Sequence, residues 1–222
     1  MRKLHLALKR IADIVLSAVA LLVFTVIPVM IVVPIVIGLT SKGPAVFTQT
    51  RVGKNGKTFT MYKFRTMITE RYDEQGNEIM SEKRITKIGR ILRKLSLDEL
   101  PQLINVLNGT MSIIGPRPML DYQAPRCIGE ENLRFEMRPG LTGLAQVKGR
   151  NNILWEERIK YDIEYVKNYS IWLDIEILFK TVLLVFKREG TDIKPENRKV
   201  DRFSKYYVPE EQRQETEEKE TV

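Results

Sequence analysis

The chain has 222 residues, a formal net charge of +8, one cysteine and one histidine. A lone cysteine excludes an internal disulfide and a cysteine-based metal cluster, and fits a reducing compartment. A lone histidine argues against a Ser-His-Asp triad, a Cys-His pair and a multi-histidine metal site. Acid–base or nucleophilic work therefore falls to Asp, Glu, Lys, Tyr or Ser, and any metal is better matched to oxygen ligands, as Mg²⁺ is. The length allows one domain with an appendage. The charge is uneven: residues 209–222 carry six Glu against Arg213 and Lys219, a balance of −4, which leaves +12 on the rest. Such a body expects an anionic partner, whether nucleic acid, anionic lipid or a phosphorylated substrate.

Residues 14–39 contain no charge, a run longer than the roughly 20 residues that span a bilayer. It is too long for the apolar region of a signal peptide. Pro28 and Pro34 interrupt it, and both flanks are basic: Arg2, Lys3, Lys9 and Arg10 before, Lys42, Arg51, Lys54 and Lys57 after. Cytoplasmic residence of both flanks requires a segment that enters and leaves by the same face, broken near Pro28. A single span and a re-entrant hairpin both remain open on these features.

Residues 45–51 and 58–65 read as strands around Asn55-Gly56, a hairpin turn signal. Phe59, Met61, Lys63 and Arg65 share one strand face, which could bring two cations to one anion or form a solvated basic face. Residues 68–80 read as a polar loop. Residues 81–95 are predicted as a basic amphipathic helix with Ile85, Ile88, Leu92 and Leu95 on its apolar face, suited to anionic headgroups or to plain solvation.

Residues 95–107 read Leu-Ser-Leu-Asp-Glu-Leu-Pro-Gln-Leu-Ile-Asn-Val-Leu. Leu100, Leu103, Ile104 and Leu107 have the spacing of a buried helical face. The helix could start with a Ser96–Glu99 capping box or with Asp98 as N-cap, placing Pro101 in the first turn. Asp98 and Glu99 could then be caps only, or two acids held among cations for phosphate chemistry. Arg117, between Pro116 and Pro118, sits on a stiff backbone that suits a guanidinium fork for phosphate. Residues 138–152 combine Gly140, Gly143 and Gly149 with Lys148 and Arg150, a loop that would let backbone N–H groups approach an anion. Helices are predicted over 153–168, with Trp155, Ile159 and Ile163 inward, and over 171–187, as core or interfacial. Residues 195–222 are polar, and the last dozen are expected to be disordered.

The ordered set of a proline-broken hydrophobic segment, Lys-Phe-Arg-Thr-Met (63–67), Leu-Ser-Leu-Asp-Glu-Leu-Pro-Gln (95–102), Gly-Pro-Arg-Pro (115–118) and Pro-Gly-Leu-Thr-Gly-Leu-Ala-Gln-Val-Lys-Gly-Arg-Asn (139–151) resembles the bacterial sugar transferase family. These are small monotopic phosphoglycosyl transferases. The resemblance covers about residues 8–190. It implies transfer of a sugar-1-phosphate from a UDP-sugar to polyprenol (undecaprenyl) phosphate, giving polyprenol-diphosphate-sugar and UMP, at the start of glycoconjugate synthesis. It implies Asp98 as nucleophile, Glu99 as the Mg²⁺ ligand, and Lys63, Arg93, Arg117 and Arg150 as phosphate-binding residues. It further implies a mostly helical α/β monotopic membrane protein: a re-entrant helix–break–helix, a small β-hairpin, amphipathic interfacial helices and a compact catalytic body. The expected divisions are a membrane segment with its basic flank at 1–40, a catalytic domain with interfacial helices at 41–194 and a polar tail at 195–222. The expected place is the cytoplasmic face of the bacterial inner membrane, with anionic lipids as partners, no nucleic acid, and a homo-oligomer allowed. One departure is Ile27-Pro28 at the break, where relatives often carry Ser-Pro. The competing readings are the same reaction by direct attack in a ternary complex, and a non-catalytic membrane-anchored anion binder.

Overall fold

The computed structural model describes residues 2–26, 28–73, 75–80, 82–149, 153–187 and 202–203. The chain opens with two helices, α1 (Arg2–Val26) and α2 (Val29–Thr40), bent by 59° at the break before and at Pro28. Proline cannot donate the helical N–H bond and clashes with the preceding turn, so the ladder stops there and restarts with Val32 N–H on the Pro28 carbonyl at 2.7 Å. Among the described residues no single helix is long and apolar enough to cross a membrane, but the bent pair is by length and composition.

The first half of α1 is bolted to the body. Arg10 donates to the carbonyls of Val106 (2.6 Å) and Leu107 (3.0 Å). Asp13 accepts from the Ser112 hydroxyl at 2.8 Å and the Ile113 N–H at 3.1 Å, and Lys9 pairs with Asp174 at 2.9 Å. Lys9 and Arg10, two cations of the basic flank, are thus bonded to the body. The exposed faces of α1 and α2 are apolar: Leu4, Ile11, Val19, Leu22, Ile31, Ile35 and Leu39 lie open.

The hairpin forms as the alternation and turn signal predict. β1 (Val46–Val52) pairs antiparallel with β2 (Thr58–Phe64), with Val46 opposite Phe64 and Val52 opposite Thr58. Asn55 (φ 57°) and Gly56 (φ 72°) make the turn, left-handed conformations that Asn and Gly tolerate best. The basic helix is shorter than its pattern. α3 runs Lys87–Lys94, because Thr86 caps it (its hydroxyl accepts from Gly89 N–H, 2.9 Å) and spends its own N–H on the Thr66 carbonyl. Residues 82–85 are turns and a bridge from Ile85 to Met67.

α4 (Gln102–Leu107) buries Gln102, Leu103, Asn105 and Val106; of the predicted face Leu103 is buried and Leu100 packs against the core, Leu107 is half-buried, and Ile104 is exposed. Asn105 is what turns it: its amide accepts from Tyr62 N–H (3.1 Å) and donates to the Thr60 carbonyl (2.7 Å), fastening α4 to β2. β3 (Ser112–Ile114) runs parallel to β5 (Gly140–Thr142), and β4 (Met119–Leu120) adds to the β1 edge. α5 (Leu144–Gly149), α6 (Trp155–Lys167) and α7 (Ile171–Lys187) close the body. Ile114, Met137, Leu144, Tyr165, Val166 and Ile177 form one core; Met119, Cys127, Ile159 and Phe203 form a second, with Trp155 and Ile163 against it. Phe203 belongs to the segment read as tail, and within that segment only Arg202 and Phe203 are described; both are docked. α7 has two faces: Ile177 is in the core and Thr181 meets Thr142 at 2.8 Å, while Trp172, Ile175, Phe179 and Val182 are exposed.

Candidate active site

α3 ends at Lys94, and Ser96 then takes a left-handed conformation (φ 55°) that reverses the chain into a 3₁₀ turn, Leu97–Glu99. The reversal folds the acids back toward the end of α3, so Arg93 acts on Asp98, five positions further along the chain. Neither expected cap is made. Ser96 makes no side-chain cap bond, and α4 begins after Pro101 with no side-chain cap either. The carboxylates are therefore free of the helix start and stand in the site.

Glu99 pairs with Lys63, at the far end of β2, at 2.5 Å. Burial pushes the Glu99 carboxyl up, but Lys63, Arg117 and Arg51 together outweigh it and hold the group below the usual carboxylate range. Asp98 moves the other way: burial and the neighbouring Glu99 raise it, against the pull of Lys63 and Arg93. Two adjacent acids pushed apart in this way are equipped for different roles, one a fixed anion and one a proton-sensitive group.

The cations come from four separate places in the chain. Lys63 and Arg93 both face the acid pair, with Arg93 Nε anchored on the Thr66 hydroxyl at 2.8 Å. Arg117 faces Glu99 from the turn between β3 and β4. The fourth is Arg51 on β1, which in the sequence is only one cation of a basic flank. Its guanidinium donates to the Pro118 carbonyl (3.1 Å) and the Gln49 amide oxygen (2.7 Å) and faces both Glu99 and Arg117. Burial and the nearby Arg117 lower its pKa to about 10. The signal available in the sequence was Gln49 and Arg51 two positions apart on a strand, on one face. Arg150 lies outside the described residues.

Two anion-binding expectations give way to structural roles. Arg65 does not join Lys63; it caps the end of α2, donating to the Lys42 carbonyl and, at 2.8 Å, to the Ser41 carbonyl. The glycine-rich loop is a packing junction. A Cβ at Gly140 would stand 2.1 Å from Gly115 N, and one at Gly143 would stand 2.2 Å from Gly115 O. The Gly115 and Gly140 N–H groups are already bonded to the Thr142 and Pro116 carbonyls. Those glycines let β3 and β5 approach and so set the height of the Gly-Pro-Arg-Pro turn.

Among the described residues no group of three or more His, Cys, Asp or Glu side chains is placed to hold a metal. A single carboxylate such as Glu99, with no further protein ligand, would suit an ion that completes its shell with water and substrate phosphates, which is the habit of Mg²⁺.

The family model described as "Bacterial sugar transferase" matches residues 4–188. A sugar transferase of Bacillus subtilis, EpsL, is 46% identical over 82% of this chain and 89% of its own length; it is described as uncharacterized. The UDP-glucose:undecaprenyl-phosphate glucose-1-phosphate transferase of Caulobacter vibrioides is 43% identical over 78% of this chain and 68% of its own. The undecaprenyl-phosphate galactose phosphotransferase of Salmonella typhimurium is 40% identical over 82% of this chain but 41% of its own length. The chain thus covers most of some relatives and about two fifths of others. It belongs to the bacterial sugar transferase family, and so to an enzyme class, which sets aside the reading of a non-catalytic binder.

Proposed function

We propose that this chain transfers a sugar-1-phosphate from a UDP-sugar to undecaprenyl phosphate through a covalent intermediate on Asp98. The observation that carries the reading is the acid pair: two adjacent carboxylates with opposite pKa displacements, uncapped, and faced by Lys63, Arg93, Arg117 and Arg51. A diphosphate needs that excess of cations, and an attacking carboxylate needs them to lower its repulsion from phosphate oxygens.

An Asp98 carboxylate oxygen forms a bond to the phosphorus next to the sugar, and the bond from that phosphorus to the bridging oxygen breaks, releasing UMP with the electron pair. An oxygen of undecaprenyl phosphate then bonds the same phosphorus, and the aspartyl P–O bond breaks. This yields undecaprenyl-diphosphate-sugar and restores Asp98. Lys63, Arg117 and Arg51 hold the non-bridging oxygens, and Arg93 lies on the Asp98 side. Glu99 would hold Mg²⁺, which when bound neutralises developing phosphate charge.

A lipid and a water-soluble substrate must meet, so the reaction belongs at a membrane surface. The bent α1–α2 pair with its apolar outer face, and the exposed Trp172, Ile175, Phe179 and Val182 of α7, support a protein that dips into one leaflet from the cytoplasmic side of the inner membrane. The test is UMP release from a panel of UDP-sugars with undecaprenyl phosphate and Mg²⁺. One sugar should release UMP well above the rest; no release from any would overturn the proposal. Varying both substrates should give parallel double-reciprocal lines, whereas intersecting lines would favour direct attack in a ternary complex.

A further inference from the structure

Arg117 occupies a turn between two very short strands, and the prolines beside it limit its torsions without fixing its position. What holds it lies outside the turn. The Arg117 carbonyl accepts from Arg134 Nη2 at 2.7 Å, and the same nitrogen donates to Asp162 Oδ2 at 2.5 Å. Both partner side chains are 1% exposed. Asp162 stands on α6 with its carboxylate facing the Arg117 amide as well, and Arg158, one turn earlier, faces it too. Trp155 lies beneath both arginines, 5.9 Å from Arg134 and 4.9 Å from Arg158. The Arg117 peptide is therefore gripped by a buried ion pair between Arg134, on the 3₁₀ helix Gly129–Glu136, and Asp162 on α6.

A buried ion pair is a poor stabilising device. Its desolvation cancels most of its attraction, and apolar residues of similar size serve stability as well or better. An apolar pair could not, however, hold a carbonyl oxygen at a fixed point. Arg134 and Asp162 are themselves almost fully buried, so neither presents its charge to solvent or to a bound substrate.

We propose that the Arg134–Asp162 pair is a positioning device for Arg117, setting where its guanidinium meets Glu99 and the donor phosphates. This rests on reading Arg117 as a phosphate ligand. A displacement on the order of 1 Å can cost about 100-fold in rate, so the pair's effect should be large although it lies behind the site.

Arg134→Lys tests it. Lysine keeps the charge beside Asp162 but lacks the planar fork that reaches carbonyl and carboxylate together. The melting temperature should change little while kcat/KM for the UDP-sugar falls at least about tenfold. The decisive comparison is the same change in an Arg117→Lys background. A residue acting through Arg117 should there cost less than about twofold, because the group it positions is already lost. Full activity of Arg134→Lys, or an equal loss in both backgrounds, would overturn the proposal. Should Arg134→Lys not fold, the joint Arg134→Met/Asp162→Leu replacement enters the same cycle, since it leaves no charge buried alone. Arg117→Lys with unaltered kinetics would instead remove the phosphate-ligand reading beneath it.

Discussion

Replacing Lys63 by methionine keeps most of the side chain's bulk and deletes the charge at 2.5 Å from Glu99. The pair is 19% and 24% exposed, between the surface case and the sealed one. Exposed pairs contribute about 0–1 kcal/mol, and breaking a fully buried pair costs about 3–5 kcal/mol. Arg117 and Arg51 still face Glu99 after the change, so a loss of about 2 kcal/mol is expected, or roughly 4–8 °C in melting temperature for a chain of this size. The pH dependence has a definite sign. The folded Glu99 carboxyl titrates below its unfolded value, so its stabilisation is present above about pH 4.3 and is lost as pH falls through the folded value. The gap between wild type and Lys63→Met should be full at pH 7 and close in acid below about pH 4. Lys63 also pulls Asp98 down, so the variant's residual activity should need a higher pH. Melting in nanodiscs, followed by the two tryptophans, with UMP release in parallel, checks both. Coincident melts at pH 7, or a gap that ignores pH, would refute the electrostatic account of this site.

Asp98→Asn should melt within a degree or two of wild type, because Asp98 caps nothing, while turnover falls by about 1,000-fold or more; a β-phosphate-labelled UDP-sugar should mark the wild-type protein and not the variant. Because burial and Glu99 raise Asp98, kcat/KM should begin to fall on acidification at a pH above the ordinary aspartate range, and a flat profile down to pH 4 would contradict this. Chelation with EDTA should abolish UMP release and Mg²⁺ or Mn²⁺ restore it, whereas undiminished activity in chelator would remove the role given to Glu99. Cysteines at Leu4 and Lys42, in a Cys127→Ser background, should label from the same membrane face; labelling from opposite faces would mean a span. Lys42 is preferred to its neighbour because Gly43 has φ 106° and its missing Cβ space is filled by Arg65.

Features encoded locally are legible in the sequence. The Asn55-Gly56 turn and the alternation around it define the hairpin and deliver Lys63 to its end, and Pro28 marks the break. What stays hidden depends on partners far along the chain. Nothing local distinguishes Arg65, which caps α2, from Lys63, which meets Glu99. Arg51 gains its role only because β4 pairs beside it and brings the Pro118 carbonyl within reach. The glycines of 140–143 resemble an anion loop, but their neighbour is Gly115, just past the end of the parallel strand β3. Asn105 looks like a polar interruption in an apolar helix, yet its two bonds to β2 decide which face of α4 turns inward.

The Asp13 bonds to Ser112 and Ile113 have a mechanical consequence. α1 runs without interruption from that anchor to the break, so it behaves as a graduated rod clamped at one mark. Each residue along it advances about 1.5 Å and turns about 100°. The number of residues between Asp13 and Pro28 thereby gauges how far the apolar elbow reaches from the acid pair, and in which direction it points. Adding one residue there would leave Lys63, Asp98 and Glu99 in place and still re-aim the elbow by more than a quarter turn. Reach and aim are written into the length of a helix, not into the acid pair.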